Sequence, residues 1–427
     1  MPKFIVHFVH FHTDFRRAEL EALSRLEGVA VECDEQTGGD DSPFLVVEVA
    51  SAEAAARLVR RGILVRSIAE YWGSGATYDE VFAEVRRRPE RWAEHAQRSF
   101  RFTVEAFGRT LTQAEKVAVI ESFSFLGLEG PIRMHGAETE FLVCEEHGDP
   151  PVRNGPKRVW FGRVVGRGSR HLIDRFDVKK RRYLGNTTMD AELSLIMANQ
   201  ALARPGALVY DPFVGTGSFL LTCAHFGAHT VGSDIDGRQI RGTAGFRRGV
   251  DGLQANLAQY QLAGRVVGTA VFDICHHPWR PGPLFDAIVT DPPYGVRAGA
   301  KRLGRREGSA PRPGRSPDCY PPTVPYEMSD VIRDLLDFAT DKLVVGGRLV
   351  YWLPTVADEY EPADVPQHPA LRLVANSEQP FGGWSRRLIT MEKTAQAAGS
   401  AADSAAPAHR NFRDRYFAGF ERKDPTY

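Results

Sequence analysis

The chain has 427 residues, 43% of them hydrophobic, with 54 basic and 54 acidic side chains, enough apolar material for two or three cored domains without covalent staples. Five cysteines, at 33, 144, 223, 275 and 319, form no CxxC pair, which argues against a zinc finger or a disulfide framework and fits a reducing compartment. No apolar run reaches the length of about eighteen residues that a membrane helix needs, and histidines break the N-terminal MPKFIVHFVHFHTDF; neither signal peptide nor membrane span is expected, and the chain is read as cytoplasmic.

From Lys3 to about Val165, β-like runs (FIVHFVHF, PFLVVEVA, FRFTVEAF, FLVCEE, RVWFGRVV) alternate with helical patterns (RRAELEALSRL, AEAAARLVRRG, QAEKVAVIESFSF). Residues 1–168 are therefore an α+β region, without a nucleotide-binding fingerprint or metal-ligand cluster. A basic linker, 169–189, follows; its RHLIDRFDVKKRR carries Arg175, Lys179, Lys180, Arg181 and Arg182 as candidate contacts to nucleic-acid phosphates.

From Asp190 the texture changes. A helix, AELSLIMANQALA, leads to ALVYDPF, TVGSDID, RVVGTAVFD, LFDAIVTDPPY and GGRLVYWLP, each a short apolar strand closed by a polar or glycine-rich turn. Residues 190–394 thus form a Rossmann-like, doubly wound, mostly parallel α/β domain. Residues 297–325 interrupt it as a Gly/Pro/Arg-rich insertion in which Arg297, Lys301 and Arg302 are further candidate phosphate contacts. Ser329 or Asp330 is expected to cap the helix VIRDLLDFATDKL, and Gly346-Gly347 to end it. Residues 395–427 comprise a low-complexity Ala/Ser segment and an aromatic, basic tail, NFRDRYFAGFERKDPTY, that either docks or frays.

Three motifs at strand ends carry chemistry. Asp211-Pro212-Phe213-Val214-Gly215-Thr216-Gly217-Ser218 lacks the third glycine of a dinucleotide fingerprint, where Leu220 stands. It suits S-adenosylmethionine, whose ammonium and carboxylate can be held by an acid and by glycine-loop amides; Asp211, Phe213, Gly215, Thr216 and Gly217 are the candidates. Asp234, followed by Ile235, can accept two ribose hydroxyls. Asp273, followed by Ile274, is equally a helix cap or an acceptor for the adenine amine.

Asp291-Pro292-Pro293-Tyr294 points to the reaction. An exocyclic base amine is a poor nucleophile because its lone pair is delocalised. A carboxylate and a backbone carbonyl that accept its N–H bonds pull the nitrogen toward tetrahedral geometry. Consecutive prolines hold the turn, Tyr294 offers a stacking face, and Asp291 stabilises developing charge and can take the proton. No metal is required. In duplex the base would have to leave the stack first.

DPFVGTG followed by DPPY resembles the amino-methyltransferases of RNA and DNA bases. RFDVKKRRYLGNTTMDAELSLIMANQ (175–200), SIAEYWGSGATYDEV, QAEKVAVIESFSFLGLEG and FGRVVGRGSRHLIDRF narrow the resemblance to the catalytic subunit of eukaryotic tRNA (guanine-10-N2)-methyltransferases, through most of the chain to about Lys393. That resemblance implies a tRNA-binding half, ferredoxin-like plus THUMP, before a class I methyltransferase domain. It further implies a small zinc-binding activator subunit forming a heterodimer, and places Asn186 and Thr187 over the methionine part of the cofactor, where helix capping by Thr187 or Thr188 is the other reading. An adenine-N6 methyltransferase would share both motifs, a nucleotide-dependent oxidoreductase only the sheet and Asp234, and a noncatalytic tRNA-binding subunit the fold without the activity.

Overall fold

The computed structural model describes residues 1–37, 39, 41–148, 155–185, 188–243, 251–296, 300–304, 322–395 and 412–418. They fall into two units, Met1–Arg170 and His171–Tyr427.

The first unit is built on strands β1 (Lys3–Phe8), β2 (Glu32–Cys33), β3 (Phe44–Glu48), β4 (Val65–Gly75), β5 (Phe100–Phe107), β6 (Thr139–Glu146) and β7 (Arg158–Arg167), in the order β2-β3-β1-β4-β7-β6-β5. Only β5 and β6 run parallel; the other neighbours are antiparallel. β4 is a strand that the apolar runs do not announce, because Glu70, Tyr71 and Gly73 break their alternation. It fits against β7 through Gly162, where a Cβ would lie 1.8 Å from the Glu70 carbonyl oxygen. Phe123 stacks on Phe161 at 4.3 Å between centroids within an aromatic core that also holds Trp72 and Phe141. Thr112 and Glu115 close a capping box on the helix Gln113–Ser122.

The second unit carries β8 (Leu208–Asp211), β9 (His229–Asp234), β10 (Val266–Val271), β11 (Phe285–Thr290), the short pair β12 (Lys301–Leu303) and β13 (Thr323–Pro325), then β14 (Leu343–Val356), β15 (Leu371–Pro380) and β16 (Trp384–Lys393). Its main sheet has the order β10-β9-β8-β11-β14-β16-β15, parallel from β10 to β14 and antiparallel beyond. The chain winds outward from β8 to β10 and then crosses to β11, so β8 and β11 flank the switch point where ligands of such sheets bind. The Ala191–Gln200 helix is buried on all sides, and Met328–Lys342 packs an apolar stripe of Val331, Ile332, Leu335 and Leu336 into the core.

Boundaries differ from the sequence reading in places. The Met328–Lys342 helix starts after Glu327 with no side-chain cap, not at Ser329 or Asp330. It ends at Lys342, whose Nζ donates to the Arg280 carbonyl, and Gly346-Gly347 lies inside β14, where φ of +82° at Gly346 bends the strand. In the tail, Phe412–Ala418 is helical and Phe412 is buried edge-on against Trp384.

Candidate active site

β8 ends at Asp211, which is 1% exposed. Its Oδ1 accepts from the Phe213 amide (3.0 Å) and the Thr290 hydroxyl (2.8 Å), while Oδ2 has no partner among the described residues. Burial, reinforced by the carboxylates of Asp234 and Asp291, pushes its pKa up to about 8. The chain then turns through Gly215 (φ +48°) and Gly217 (φ +83°) into the helix Ser218–His225, whose amino end the loop caps. A Cβ at Gly215 would meet nothing nearer than the Phe213 carbonyl at 3.9 Å, so a face of the loop is open; at Gly217 it would lie 2.3 Å from Leu253 Cδ1.

Asp234 closes β9 and ties this loop to the neighbouring strand: Oδ2 accepts from the Gly215 amide (2.9 Å) and Oδ1 from the Asp236 amide (2.8 Å). Burial raises its pKa to about 6. Thr216 is buried, its hydroxyl 3.2 Å from that of Thr188. Ile235 is half-buried after Asp234. Asp273 is realised as a cap: its carboxylate accepts from the Cys275 amide (3.0 Å) and, from β12, the Leu303 amide (2.7 Å), while Ile274 is buried in the core.

The Asp291–Tyr294 turn closes β11. The Tyr294 hydroxyl donates to Asp291 Oδ1, Pro292 is buried, and the tyrosine ring packs against the core. Burial raises the pKa of Asp291; the positive charge of Arg386 pulls it back. Through Thr290 the turn is stitched to Asp211, so the two motifs meet at the switch point.

Asn186, Thr187 and Arg297 lie outside the described residues, as does most of 297–325. The helix Ala191–Gln200 is capped by Asp190, not by Thr188, which instead bonds within its own turn to Gly185. Arg175, Lys179, Lys180, Arg182 and Lys301 are exposed, and Arg302 lies 5.5 Å over the Tyr326 ring. Arg181, expected among the phosphate contacts, is instead fully buried, its Nη1 donating to Ser218 Oγ at 2.8 Å, so it braces the helix after the glycine loop and is closed to RNA.

Two further features escaped the motif reading. Arg386 of β16 lies 4.2 Å over the ring of Trp352, which follows the β14 partner of Thr290, and its charge acts on Asp291 and Tyr294. The strap before the domain is held along the helix Gly252–Tyr260: Asn256 donates to the Tyr183 carbonyl and accepts its amide (both 2.9 Å), and Gln259 does the same for the Lys180 carbonyl (2.8 Å) and the Arg182 amide (2.9 Å). Two amide side chains three residues apart, Asn256 and Gln259, were the only trace of this in the sequence.

Residues 2–170 match the family model "Tmrp11 THUMP N-terminal domain", and 179–306 the model "RMKL-like, methyltransferase domain". The tRNA (guanine(10)-N(2))-methyltransferase of Schizosaccharomyces pombe is 39% identical over 465 residues, covering 99% of this chain and 97% of the relative. The chain belongs to the tRNA (guanine(10)-N2)-methyltransferase family. The human family member TRMT11 is 37% identical over 99% of this chain and 96% of its own. TrmN of Thermus thermophilus aligns with a TM-score of 0.45 at 18% identity, over 92% of this chain and 99% of that one.

As a member of this family the protein is an S-adenosylmethionine-dependent methyltransferase. The residues present fit that cofactor: a buried carboxylate oxygen without a partner at Asp211 suits an ammonium, and the open face at Gly215 leaves room for a ligand against the backbone. No helix among the described residues is long and apolar enough to cross a membrane.

Proposed function

We propose that this chain transfers a methyl group from S-adenosylmethionine to the exocyclic N2 of guanosine 10, in the D-arm of tRNA, as the catalytic subunit of a two-subunit cytoplasmic enzyme whose other subunit is a small zinc-binding protein. The observation that carries the reading is the Thr290–Asp211 hydrogen bond, which sets the base-binding turn directly beside the glycine loop. The family's curated members are named for this reaction.

When bound, S-adenosylmethionine supplies an electrophilic methyl on its sulfonium. Asp211 Oδ2 would hold the ammonium, and Asp234 would accept from the ribose hydroxyls with the lone pairs left over from Gly215 and Asp236; the Gly215 and Gly217 amides are already taken by Asp234 and the Val214 carbonyl. Asp273, buried beyond the end of β10, would bound the adenine end, with the half-buried Ile235 as an apolar wall and Ile274 in the core behind it. The guanine amine takes over the Asp291 acceptor that Tyr294 now occupies and donates its other N–H to the carbonyl at Pro292. This draws its lone pair out of the ring plane. Asp291 stabilises the charge that develops and takes the proton, while Pro293 keeps the turn rigid and the Tyr294 ring supports the base.

Arg175, Lys179, Lys180, Arg182, Lys301 and Arg302, with Arg297, provide the cations for phosphate contacts. Support for a partner subunit comes from β10, which among the described residues is an edge strand of the parallel sheet that leaves Val267 68% and Val271 51% exposed, a pairing edge of the kind soluble proteins cover. The test is methylation of unmodified tRNA by the purified chain with and without the zinc subunit, with mass mapping of the product. N2-methylguanosine at position 10 is expected; product on adenine would replace this reading with an adenine-N6 activity, and no product under either condition with a noncatalytic role.

A further inference from the structure

Arg386 is held from several sides at the back of the Asp291–Tyr294 turn. Its guanidinium lies 4.2 Å over the ring of Trp352 on the neighbouring strand and 5.5 Å from that of Phe381. Its Nε donates to Gln379 Oε1 at 2.7 Å, and Nη2 reaches Met189 Sδ at 3.9 Å. Trp352 follows Tyr351, the β14 partner of Thr290, so the ring that carries the guanidinium stands level with the start of the Asp291–Tyr294 turn, and the charge of Arg386 acts on both Asp291 and Tyr294. The adjacent Arg387 points to the other face of β16, over Tyr360 and paired with Glu378 at 2.8 Å, as strand alternation requires.

We propose that Arg386 is the positioning residue of the catalytic turn: a guanidinium clamped on an aromatic face that orients the Asp291 carboxylate and the Tyr294 hydroxyl for the arriving base amine. The inference rests on the reading of Asp291 as the acceptor of that amine. Arginine suits the place because a planar cation can stack on Trp352 while donating in its own plane. The ionisable groups facing Asp291 are Tyr294 in its own turn, Arg386 from β16 and, through space, Asp211 from β8. Arg386 and the Tyr294 hydrogen bond both favour the ionised carboxylate that can accept N–H bonds, against the burial that disfavours it, and of the two Arg386 acts through its positive charge.

The experiment compares Arg386→Gln, Arg386→Lys and Asp291→Asn in the full chain with its partner subunit, by kcat and KM for both substrates and by the pH profile of kcat. Arg386→Gln is expected to lower kcat roughly 100-fold, the cost of misplacing a reacting group, with S-adenosylmethionine affinity unchanged and the acid limb displaced to higher pH. Arg386→Lys, which keeps the charge, should bring that limb back toward its wild-type place. An unmoved limb in Arg386→Gln, or a displaced limb that lysine does not restore, overturns the proposal. So does loss of cofactor binding in both Arg386 variants, which would mark a merely structural residue. Asp291→Asn separates the two failures: wild-type activity there sinks the reading of the turn itself, whereas an inactive Asp291→Asn beside an unaffected Arg386→Gln sinks only the role of Arg386.

Discussion

Thr290 and Asp211, 79 residues apart in the chain, share a 2.8 Å hydrogen bond between adjacent parallel strands. The residue just before the Asp291–Tyr294 turn therefore orients the acid that opens the glycine loop. The glycine loop and the Asp291–Tyr294 turn are registered to each other by the sheet itself, since β8 and β11 are paired at Val209–Ala287 and Tyr210–Ile288.

Asp211 gives the clearest pH dependence. Its folded pKa, about 8, stands above the ordinary value of 3.8. A raised carboxylate pKa means that the fold binds a proton more tightly than the unfolded chain, a contribution intact below the ordinary value and lost as pH rises through about 8. Asp211→Asn removes that loss. The variant should melt close to wild type near pH 4 and several degrees above it at pH 8, while binding S-adenosylmethionine at least tenfold more weakly. Calorimetric scans at the two pH values check it, and a melting difference that does not grow with pH would refute it.

At Asp234, structural and ligand-binding duties can be separated. Asparagine keeps an oxygen for one of the Gly215 and Asp236 amides that the carboxylate now serves, whereas alanine serves neither. Asp234→Asn should weaken cofactor binding by about tenfold and Asp234→Ala by a further factor of about ten, since a buried donor left unsatisfied costs about 1–3 kcal/mol. Titration calorimetry gives both constants; equal affinities in the two variants would mean that the acid does not organise the loop.

Gly217→Ala meets two obstacles, φ of +83° and Leu253 Cδ1 at 2.3 Å from the new Cβ. A destabilisation of about 1–3 kcal/mol is expected. Adding Leu253→Ala relieves the contact but not the dihedral, so denaturant unfolding of Gly217→Ala in the Leu253→Ala background should still show about 1–2 kcal/mol.

A charge on the open edge of β10 tests the partner proposal. Val271→Lys, at a position 51% exposed, should leave the chain's melting temperature within a degree or two, as surface changes usually do. It should reduce co-purification of the zinc subunit. Undiminished co-purification would place the partner elsewhere.

The three strand ends bearing Asp211, Asp234 and Asp291 were legible because each strand is a short apolar run stopped by polar or glycine residues, the signature of a buried parallel sheet. β15 and β16 were not. β15, LRLVANSEQP, has a mixed burial pattern and is held to β16 by cross-strand pairs such as Glu378–Arg387 and Glu392–Arg372, which leave no apolar rhythm to detect. Arg386 escaped for that reason. Arg181 misled for another: a basic run announces charge but not which of its members turns inward, and here Ser218 receives the one between Lys180 and Arg182.

The grip of Asn256 and Gln259 on the strap engages only peptide groups of Lys180, Arg182 and Tyr183. Every amino acid except proline carries those groups, so the anchorage is indifferent to what stands at 180 and 182. Exposed positions there can change in evolution, gaining or shedding cations to suit a different set of polyanions, while Arg181 between them keeps its grip on Ser218 after the glycine loop.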